Sequence, residues 1–278
     1  MSVDLKDDLV FGRNAVLAFL SADNDAQASH SVSQGEAGQV SKVLLADGMR
    51  PDRRIDEIKR LAKLKGVPVA VVERRRLDRL VGPEDRHQGV VAQVSKVPIQ
   101  TLEEYLPKLL GGLKSVTELD PDNLPVLAIL DGIEDPQNLG AIIRVAECAG
   151  VRAILLPARR SAPITGTVAR TSAGAVANLP VIRIGNIVNA IEQLKRAGFW
   201  VAGLDVSAKQ NYFDCDLSGP LVIVVGSEGR GISRLVAEHC DFLLHIPMFG
   251  KTNSLNASVS FAVIVYELLR QRLKKGER

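Results

Sequence analysis

Short apolar segments alternate with helical segments throughout the second half of the sequence. Six of them have the length and composition of strands, and they span 126–132, 153–157, 179–184, 199–206, 221–226 and 242–247. The first, fourth and fifth are almost wholly apolar, which is typical of parallel strands covered on both faces. Helical patterns separate the strands, so this region predicts a doubly wound α/β domain of about 150 residues. Sheets of this kind bind ligands beyond the carboxyl ends of their strands.

A smaller α/β unit precedes this domain. Strand-like segments at 42–46, 67–72 and 89–95 accompany a helical pattern at 53–66. A polar stretch at 21–39, rich in Ser, Ala, Gly and Asp, predicts a flexible loop. The roughly alternating elements predict a second, independent α/β fold in front of the first.

The length of the chain also favours two domains, because 278 residues exceed what one hydrophobic core usually holds. Residues 98–124 contain prolines, paired glycines and the turn sequence DPDNLP, so they predict a linker with one helix inside it. We therefore expect an amino-terminal domain at 1–97, a linker at 98–124 and a carboxy-terminal domain at 125–278.

The composition excludes several classes of protein. Hydrophobic residues make up 46% and charged residues 24% of the chain, as in ordinary soluble domains. The longest apolar runs are too short to cross a bilayer, and the acidic amino terminus lacks the pattern of a secretory signal. Cys148, Cys215 and Cys240 are odd in number and widely spaced, which predicts reduced thiols in a cytoplasmic protein. The histidines and cysteines lack the spacing of metal ligands, so we expect no metal.

The net charge of +3 conceals an uneven distribution. Residues 1–49 hold three Lys/Arg and seven Asp/Glu, whereas residues 50–96 hold thirteen Lys/Arg and seven Asp/Glu. The excess cations either lie on solvated helix faces or form a surface that neutralises the phosphates of a nucleic acid. Charge alone does not decide between these two interpretations.

Two junctions between a strand and the next helix contain residues suited to chemistry. In DGIEDPQNLGAIIR, a helix begins near Asn138 and Arg144 follows six residues later, although a helix cap and a surface arginine explain the same pattern. In GSEGRGIS at 226–233, three glycines allow close approach of a ligand, and Glu228 lies between them. This spacing is neither a dinucleotide-binding fingerprint nor a P-loop, and a tight turn with an exposed glutamate is the alternative.

A third junction, IPMFGKTNSLNASVS, leads into the last helix of the chain. Ser254, Asn256 and Ser258 crowd the start of this helix. Capping explains each of them separately, but it does not explain why so many small polar residues follow one another.

Together, in order and spacing, the three junctions resemble the three motifs of the SpoU (TrmH-like) family of RNA ribose 2′-O-methyltransferases. The resemblance extends to the front of the chain, where FGRNAVLAFL and HQGVVAQV (87–94) are similar to the RNA-binding domain of the RlmB-type members. That domain resembles a small ribosomal protein, and those members methylate a guanosine of large-subunit (23S) ribosomal RNA. The resemblance therefore covers both predicted domains.

The resemblance implies a SPOUT-type α/β catalytic domain with a trefoil knot, a homodimer with its active site near the subunit interface, and S-adenosylmethionine bound in the knot. It assigns catalytic roles to five residues, which are Asn138, Arg144, Glu228, Ser254 and Asn256. It assigns cofactor contacts to four residues, which are Gly226, Ile246, Met248 and Leu255.

The role of Arg144 has two interpretations. In the family, the arginine at this position is proposed as the general base. Because a guanidinium is essentially always protonated in proteins, the second hypothesis is that Arg144 binds the phosphate beside the target ribose and stabilises the developing alkoxide. Asn138 and Glu228 would then orient Arg144, and Ser254 and Asn256 would position the hydroxyl group.

Attached to such a domain, the basic stretch at 50–96 is expected to grip an RNA hairpin by its phosphates. The candidate RNA-binding residues are Arg13, Arg74, Arg75 and Arg76. Three other functions remain open: a ribose methyltransferase of the same family acting on transfer RNA or at a resistance-type ribosomal RNA position, a non-catalytic RNA-binding assembly factor, and a nucleotide-dependent oxidoreductase. The missing dinucleotide fingerprint disfavours the last.

Overall fold

The computed structural model describes residues 9–22, 39–82, 86–95, 100–120, 123–252 and 254–276, so most of the predicted loop at 21–39 lies outside the described residues. The chain forms two compact units. Unit 1 comprises Met1–Pro98 and Pro163–Asn178, and unit 2 comprises Ile99–Ala162 and Leu179–Arg278.

The described residues form twelve strands and nine α-helices. Strands β1 to β12 are, in chain order, Leu9–Phe11, Val40–Ala46, Val69–Val72, Val90–Val94, Gln100–Thr101, Val126–Asp131, Ala153–Pro157, Val181–Ile184, Trp200–Leu204, Gln210–Asn211, Leu221–Gly226 and Phe242–His245. Helices α1 to α9 are Arg13–Ser21, Arg53–Leu64, Arg74–Val81, Leu102–Leu110, Pro136–Cys148, Gly166–Thr171, Ile187–Arg196, Arg234–His239 and Ala257–Gly276.

Unit 1 contains a four-stranded mixed sheet in the order β1-β4-β2-β3. Strands β2 and β3 are parallel, and β4 is antiparallel to both β1 and β2. A core cluster forms beneath the sheet where α3 packs on it, and its buried members are Leu9, Phe11, Ala46, Leu77, Val81 and Val91. The amphipathic spacing of Leu77 and Val81, four residues apart, places both on the buried face of α3.

The segment Pro163–Asn178 belongs to unit 1, although it lies within the range 125–278 that the sequence predicts as one domain. Two glycines allow its close approach to β1 and α1. A Cβ atom on Gly166 would lie 2.1 Å from the carbonyl oxygen of Leu9, and one on Gly174 would lie 2.2 Å from the Cβ of Ala18. Such distances exclude any larger residue at either position unless the backbone moves.

Unit 2 contains an eight-stranded parallel sheet in the order β10-β12-β9-β11-β6-β7-β8-β5. Its central strands β6, β7 and β11 are almost completely buried. Their apolar side chains extend from both faces of the sheet, as is typical of parallel strands covered on both sides. The predicted α/β class with a parallel sheet is therefore confirmed. Helix α9 packs against α5 in this unit. Among the described residues, no helix is both long and apolar enough to cross a lipid bilayer.

Part of the range 98–124, which the sequence predicts as a linker, is regular structure in unit 2. Strand β5 pairs with β8, and a capping box between Thr101 and Glu104 starts α4 directly after it. Leu102 and Tyr105 are buried, and the Tyr105 hydroxyl donates to the carbonyl oxygen of Arg152 at 2.9 Å. Burial of these side chains is what fixes the segment to unit 2.

Candidate active site

A cavity of about 350 Å³ opens in unit 2 at the carboxyl ends of β9, β11 and β12. Its walls come from four segments: residues 204–206, 225–231 and 244–248, and the start of α9 at 254–260. Parallel strands bring these segments to one edge because their carboxyl ends all point the same way. The size of the cavity is at the lower end of the range for small-molecule sites.

All four residues to which the sequence assigns cofactor contacts line this cavity: Gly226, Ile246, Met248 and Leu255. Glu228 and Ser254, assigned to catalysis, line it as well. The chain therefore brings residues from the second and third predicted motifs to a single concave surface, although Gly226 and Leu255 are 29 residues apart in the numbering.

Gly226 has a steric reason to be glycine. A Cβ atom there would lie 1.9 Å from the carbonyl carbon of Gly231, because the loop after β11 folds back over its own start. The Gly231 amide donates to the carbonyl oxygen of Ser227 at 2.9 Å and closes this loop. Gly229 and Gly231 have positive φ angles of 82° and 66°, which L-residues with side chains rarely adopt.

Three predicted catalytic residues form one hydrogen-bonded group, which we call the amide–carboxylate cluster: Asn138, Glu228 and Asn256. The Asn256 Nδ2 group donates to Oδ1 of Asn138 at 2.8 Å and to Oε2 of Glu228 at 3.5 Å. The other end of the Asn256 amide, Oδ1, accepts from the backbone N–H and the hydroxyl of Ser258 at 2.9 and 2.6 Å. Because a backbone N–H can only donate, this bond fixes which end of the amide faces the cluster.

The cluster is also held from the side of α5. Asp135 caps this helix, and its carboxylate accepts from the backbone N–H groups of Gln137 and Asn138 at 3.1 Å each. The preceding strand contributes Asp131, whose carboxylate accepts from the N–H of Ser233 at 2.8 Å and so ties the loop after β6 to the loop after β11. Backbone and side chains of all three motifs are thereby positioned together.

Arg144 stands apart from this cluster. It lies on α5 with an exposed side chain, and it makes no hydrogen bond or ion pair with any residue that the structure describes. The sequence predicts that Asn138 and Glu228 orient Arg144, whereas both of them contact Asn256 here. Ser254 lines the cavity without a hydrogen bond to the cluster.

Asp205 is a cavity residue that sequence reasoning missed. It follows β9 and lines the cavity, and its Oδ1 atom accepts from the backbone N–H and the hydroxyl of Ser207 at 2.7 and 2.6 Å. Its own N–H donates to the carbonyl oxygen of Leu244 at 3.0 Å. A carboxylate at the end of the apolar segment FWVAGLD, next to the predicted binding edge, was the signal that could have found it.

The predicted RNA-binding arginines of unit 1 have two different environments. Arg13 donates through Nη1 to the Asp52 carboxylate at 2.6 Å and through Nε to the carbonyl oxygen of Gln88 at 3.3 Å, so it connects elements inside the unit. Arg74, Arg75 and Arg76, the α3 arginines, are exposed on the first turn of α3. Cations at this end of a helix are unfavourable because the macrodipole is positive there.

The geometry defines a class of protein: an α/β enzyme with a small-molecule cavity at the strand ends and a polar cluster at its mouth. Comparison with known proteins identifies the family. Residues 125–266 match the SpoU rRNA Methylase family, and residues 9–100 match the family described as RNA 2′-O ribose methyltransferase substrate binding. The chain belongs to the SpoU family of RNA ribose 2′-O-methyltransferases, as its motifs predict.

Similar proteins span nearly the whole chain. A protein of Bacillus subtilis (strain 168) named as a TrmH family tRNA/rRNA methyltransferase, YacO, is 38% identical over 270 residues, which cover 97% of this chain and 98% of that protein. A homologue of the same family name from Staphylococcus aureus (strain MSSA476) is 39% identical over 86% of this chain and 91% of its own.

Solved structures agree in fold. The crystal structure of an RNA 2′-O ribose methyltransferase matches with a TM-score of 0.71 and 26% identity, covering 95% of this chain and 88% of that one. The SpoU methyltransferase AviRb from Streptomyces viridochromogenes, crystallised in complex with the cofactor AdoMet (S-adenosylmethionine), matches with a TM-score of 0.69 and 23% identity over 96% of this chain and 90% of its own.

Proposed function

We propose that this chain methylates the 2′-oxygen of a guanosine ribose in large-subunit (23S) ribosomal RNA, with S-adenosylmethionine as methyl donor. The observation that carries the proposal is the amide–carboxylate cluster, which places Asn138, Glu228 and Asn256 beside the cavity. The family description, SpoU rRNA Methylase, favours ribosomal RNA. The relatives' name, tRNA/rRNA methyltransferase, makes transfer RNA the second candidate substrate. Either RNA would be modified in the cytoplasm.

The cavity suits the proposed methyl donor. Ile246, Met248 and Leu255 supply apolar surface for an adenine ring, and the loop after β11 supplies backbone groups at close range. The carboxylate of Asp205 suits ribose hydroxyls or a cationic ammonium group. When bound, S-adenosylmethionine supplies an electrophilic methyl group on a sulfonium.

The amide–carboxylate cluster aligns the ribose for reaction. Asn256 is held by four hydrogen-bond contacts, and Asn138 Nδ2 has no partner among the described residues, so it is available as a donor to the RNA. Ser254, at the cavity wall, is placed to contact the reacting hydroxyl. Alignment of this kind supplies about 7–11 kcal/mol toward a barrier. Glu228 acts through Asn256, which it contacts directly.

Arg144 is proposed as an electrostatic group. A guanidinium stays protonated, and the Arg144 side chain, exposed on α5 and without a partner in the part of the chain that the structure describes, is free to bind a phosphate beside the target ribose. It would stabilise negative charge that develops on the 2′-oxygen as the hydroxyl proton passes to water and the oxygen takes the methyl group. Near-normal turnover of Arg144→Lys would support this role, whereas the base role predicts a large loss.

Two features support a homodimer. Val259, Tyr266 and Leu273 recur every seven residues along α9 and are 46%, 49% and 63% exposed, so they form an apolar stripe on one helix face. The stripe lies on the helix that begins at the cavity, which accords with an active site near a subunit interface. Sedimentation velocity should show a dimer that Tyr266→Glu dissociates.

We also propose that the segment between β12 and α9 threads a loop of the chain to form the trefoil knot.

Unit 1 is proposed to bind the RNA through the α3 arginines. They are exposed, and their unfavourable position at the helix start indicates a role other than stability. Arg13 is proposed to act indirectly, because its guanidinium is engaged with Asp52 and Gln88.

The decisive experiment mixes the purified protein with tritiated S-adenosylmethionine and large-subunit ribosomal RNA from a strain that lacks the protein, with transfer RNA in parallel. We expect label in the ribosomal RNA at a guanosine 2′-oxygen, and loss of that label in Asn138→Ala with binding of S-adenosylmethionine retained. Label only in transfer RNA would keep the chemistry and overturn the substrate. Absence of cofactor binding would overturn the enzyme and leave a non-catalytic RNA-binding protein.

A further inference from the structure

Two adjacent arginines follow β7 at the same edge of the sheet as the cavity. Arg159 and Arg160 lie in the loop at residues 158–162, which we call the β7 loop. Both side chains are exposed, and neither makes a hydrogen bond or an ion pair with any residue that the structure describes. The three motifs leave this loop without a role.

Hydrogen bonds to strand β8 and one bond from Ser161 back to β7 hold the β7 loop in place. Arg183 on β8 donates through Nη1 to the carbonyl oxygen of Pro157 and to the hydroxyl of Ser161, both at 3.1 Å, and Ser161 donates to Pro157 at 2.7 Å. The N–H of Ala158 donates to the carbonyl oxygen of Ile184 at 2.9 Å. The partly buried guanidinium of Arg183 therefore holds the shape of this loop, and no carboxylate of the described residues pairs with it.

The β7 loop is joined directly to the loop that leads into the catalytic helix. The N–H of Ala162 donates to the carbonyl oxygen of Ile133 at 2.8 Å, two residues before the Asp135 cap of α5. Strands β6 and β7 are parallel neighbours, so both loops leave the same edge of the sheet. Arg159 and Arg160 are therefore fixed beside the segment that positions Asn138.

The backbone of Arg160 is strained. Its φ angle is 58°, in the left-handed region that glycine adopts more readily than any residue with a side chain. Strain at a position whose exposed charge has no partner among the described residues accords with a side chain retained for an external ligand.

We propose that Arg159 and Arg160 bind phosphate groups of the RNA strand next to the reacting ribose, as a second RNA contact located on unit 2. This inference rests on the proposed function. A guanidinium matches the geometry of phosphate oxygens. Because the loop is already held by hydrogen bonds, these two arginines, which have no partner among the described residues, bind phosphate without the cost of ordering the backbone. Glu134, exposed on the neighbouring loop, opposes the anion with one charge, and the Asp135 carboxylate is engaged as a helix cap. The β7 loop itself carries both arginines and no carboxylate, so it presents two positive charges to the anion.

The test is the salt dependence of RNA binding by the full-length protein. The probe is large-subunit ribosomal RNA transcribed in vitro, titrated between 50 and 200 mM KCl, with the double variant Arg159→Gln, Arg160→Gln. Two lost phosphate contacts reduce the slope of log affinity against log salt by about 1.4–1.8. The wild type should therefore lose roughly seven- to twelvefold more affinity than the variant across this range. Its KM for the RNA in methyl transfer should be lower than that of the variant.

Two further proteins control the experiment. Arg196→Gln removes an exposed arginine at the end of α7, where the chain approaches the opposite edge of the sheet, and it should leave the slope unchanged. The variant Arg159→Lys, Arg160→Lys keeps both charges and should keep most of the slope. Binding of S-adenosylmethionine should be equal in all four proteins.

Each alternative outcome is distinguishable. An unchanged slope and KM in the glutamine variant would overturn the inference while methyl transfer by the wild type upheld the proposed function. If the glutamine variant lost affinity for S-adenosylmethionine as much as for RNA, the inference would also be overturned. The two arginines would then be needed for the structure of the site and not for contact with RNA. Normal RNA binding with loss of a co-purifying acidic protein would assign the arginines to a protein partner instead. If the wild type binds neither RNA nor cofactor, the proposed function itself fails.

Discussion

Asn256 in unit 2 and the α3 arginines in unit 1 both belong to regions that we expect to meet RNA, but their surroundings differ. The Asn256 amide is held at both ends by hydrogen bonds to Asn138, Glu228 and Ser258. The side chains of Arg74, Arg75 and Arg76 are exposed on a helical turn. A reacting group must be fixed to within a fraction of an ångström, whereas attraction of a phosphate backbone needs only charge near the surface. The two regions should therefore respond to substitution in different ways.

The largest effect is expected when the amide–carboxylate cluster loses its central donor. Asn256→Asp keeps the side-chain oxygen that accepts from the backbone N–H of Ser258. It replaces the Nδ2 donor by a second oxygen, which faces Asn138 Oδ1 and the Glu228 carboxylate. Turnover should fall about 10²- to 10³-fold, as when one preorganised donor is removed from an active site. Single-turnover methyl transfer measures this loss.

A matched control separates catalysis from capping. Asn186 caps α7, and its side chain accepts from the N–H of Asn189 at 3.0 Å, so Asn186→Asp makes the same chemical change at a helix start that does not line the cavity. It should leave turnover unchanged. Equal turnover of Asn256→Asp and wild type would contradict the role of the cluster.

The second-largest effect is expected from steric crowding at Gly226, where the loop after β11 packs against its own first residue. In Gly226→Ala, the added Cβ would lie 1.9 Å from the carbonyl carbon of Gly231, and backbone cannot rotate away as a side chain can. Overpacking of this kind should destabilise unit 2 by about 3 kcal/mol and weaken cofactor binding. Gly219→Ala is the control, because its Cβ meets no atom within 4 Å and its φ angle is not positive. Urea unfolding of the two variants should differ, and similar midpoints would show that the loop can yield.

Substitution of the α3 arginines should change affinity and leave chemistry intact. With Arg74, Arg75 and Arg76 all replaced by Gln, the salt slope of RNA binding should fall by about 2.1–2.7. Between 50 and 200 mM salt, the wild type should lose roughly 20- to 40-fold more affinity than the variant. The rate at saturating RNA should not change. A drop in that rate with an unchanged slope would instead place these residues near the reaction.

Sequence patterns predicted the sheet of unit 2 well because buried parallel strands are continuous apolar runs. Segments such as 153–157 and 221–226 coincide with β7 and β11. The cavity-lining residues of the second and third motifs were predictable from the motif resemblance, since these motifs follow β11 and β12. Position along the chain does not show which distant segments meet. The placement of Pro163–Asn178 in unit 1 and the pairing of β5 with β8 depend on such contacts.

The same limit applies to single residues. Arg13 is one of several arginines in a basic region of the sequence, and only the fold reveals that Asp52, 39 residues away, neutralises it. Asp205 was missed because a lone carboxylate after a strand has no distinctive spacing, although it lines the cavity. Glu228 contacts Asn256 rather than Arg144. The conformation of the loop after β11 determines this contact, and the sequence alone does not show it.

Asp216 lies between the two extremes, since it is hydrogen-bonded but largely exposed, and it gives the smallest expected effect. Bonds from the hydroxyl and backbone N–H of Ser218, together with Lys275, lower the pKa of its carboxyl from 3.8 to about 2. A lowered pKa stabilises the fold above pH 3.8, and that contribution is lost as the pH falls through about 2. Because the side chain is 69% exposed, solvent screening should keep the contribution below about 1 kcal/mol. Asp216→Asn should therefore be less stable than the wild type at pH 6 and nearly equal to it near pH 2 in urea unfolding, with Ser218→Ala reducing the same pH-dependent difference. A difference of equal size at both pH values would show that Asp216 acts through packing and not through its charge.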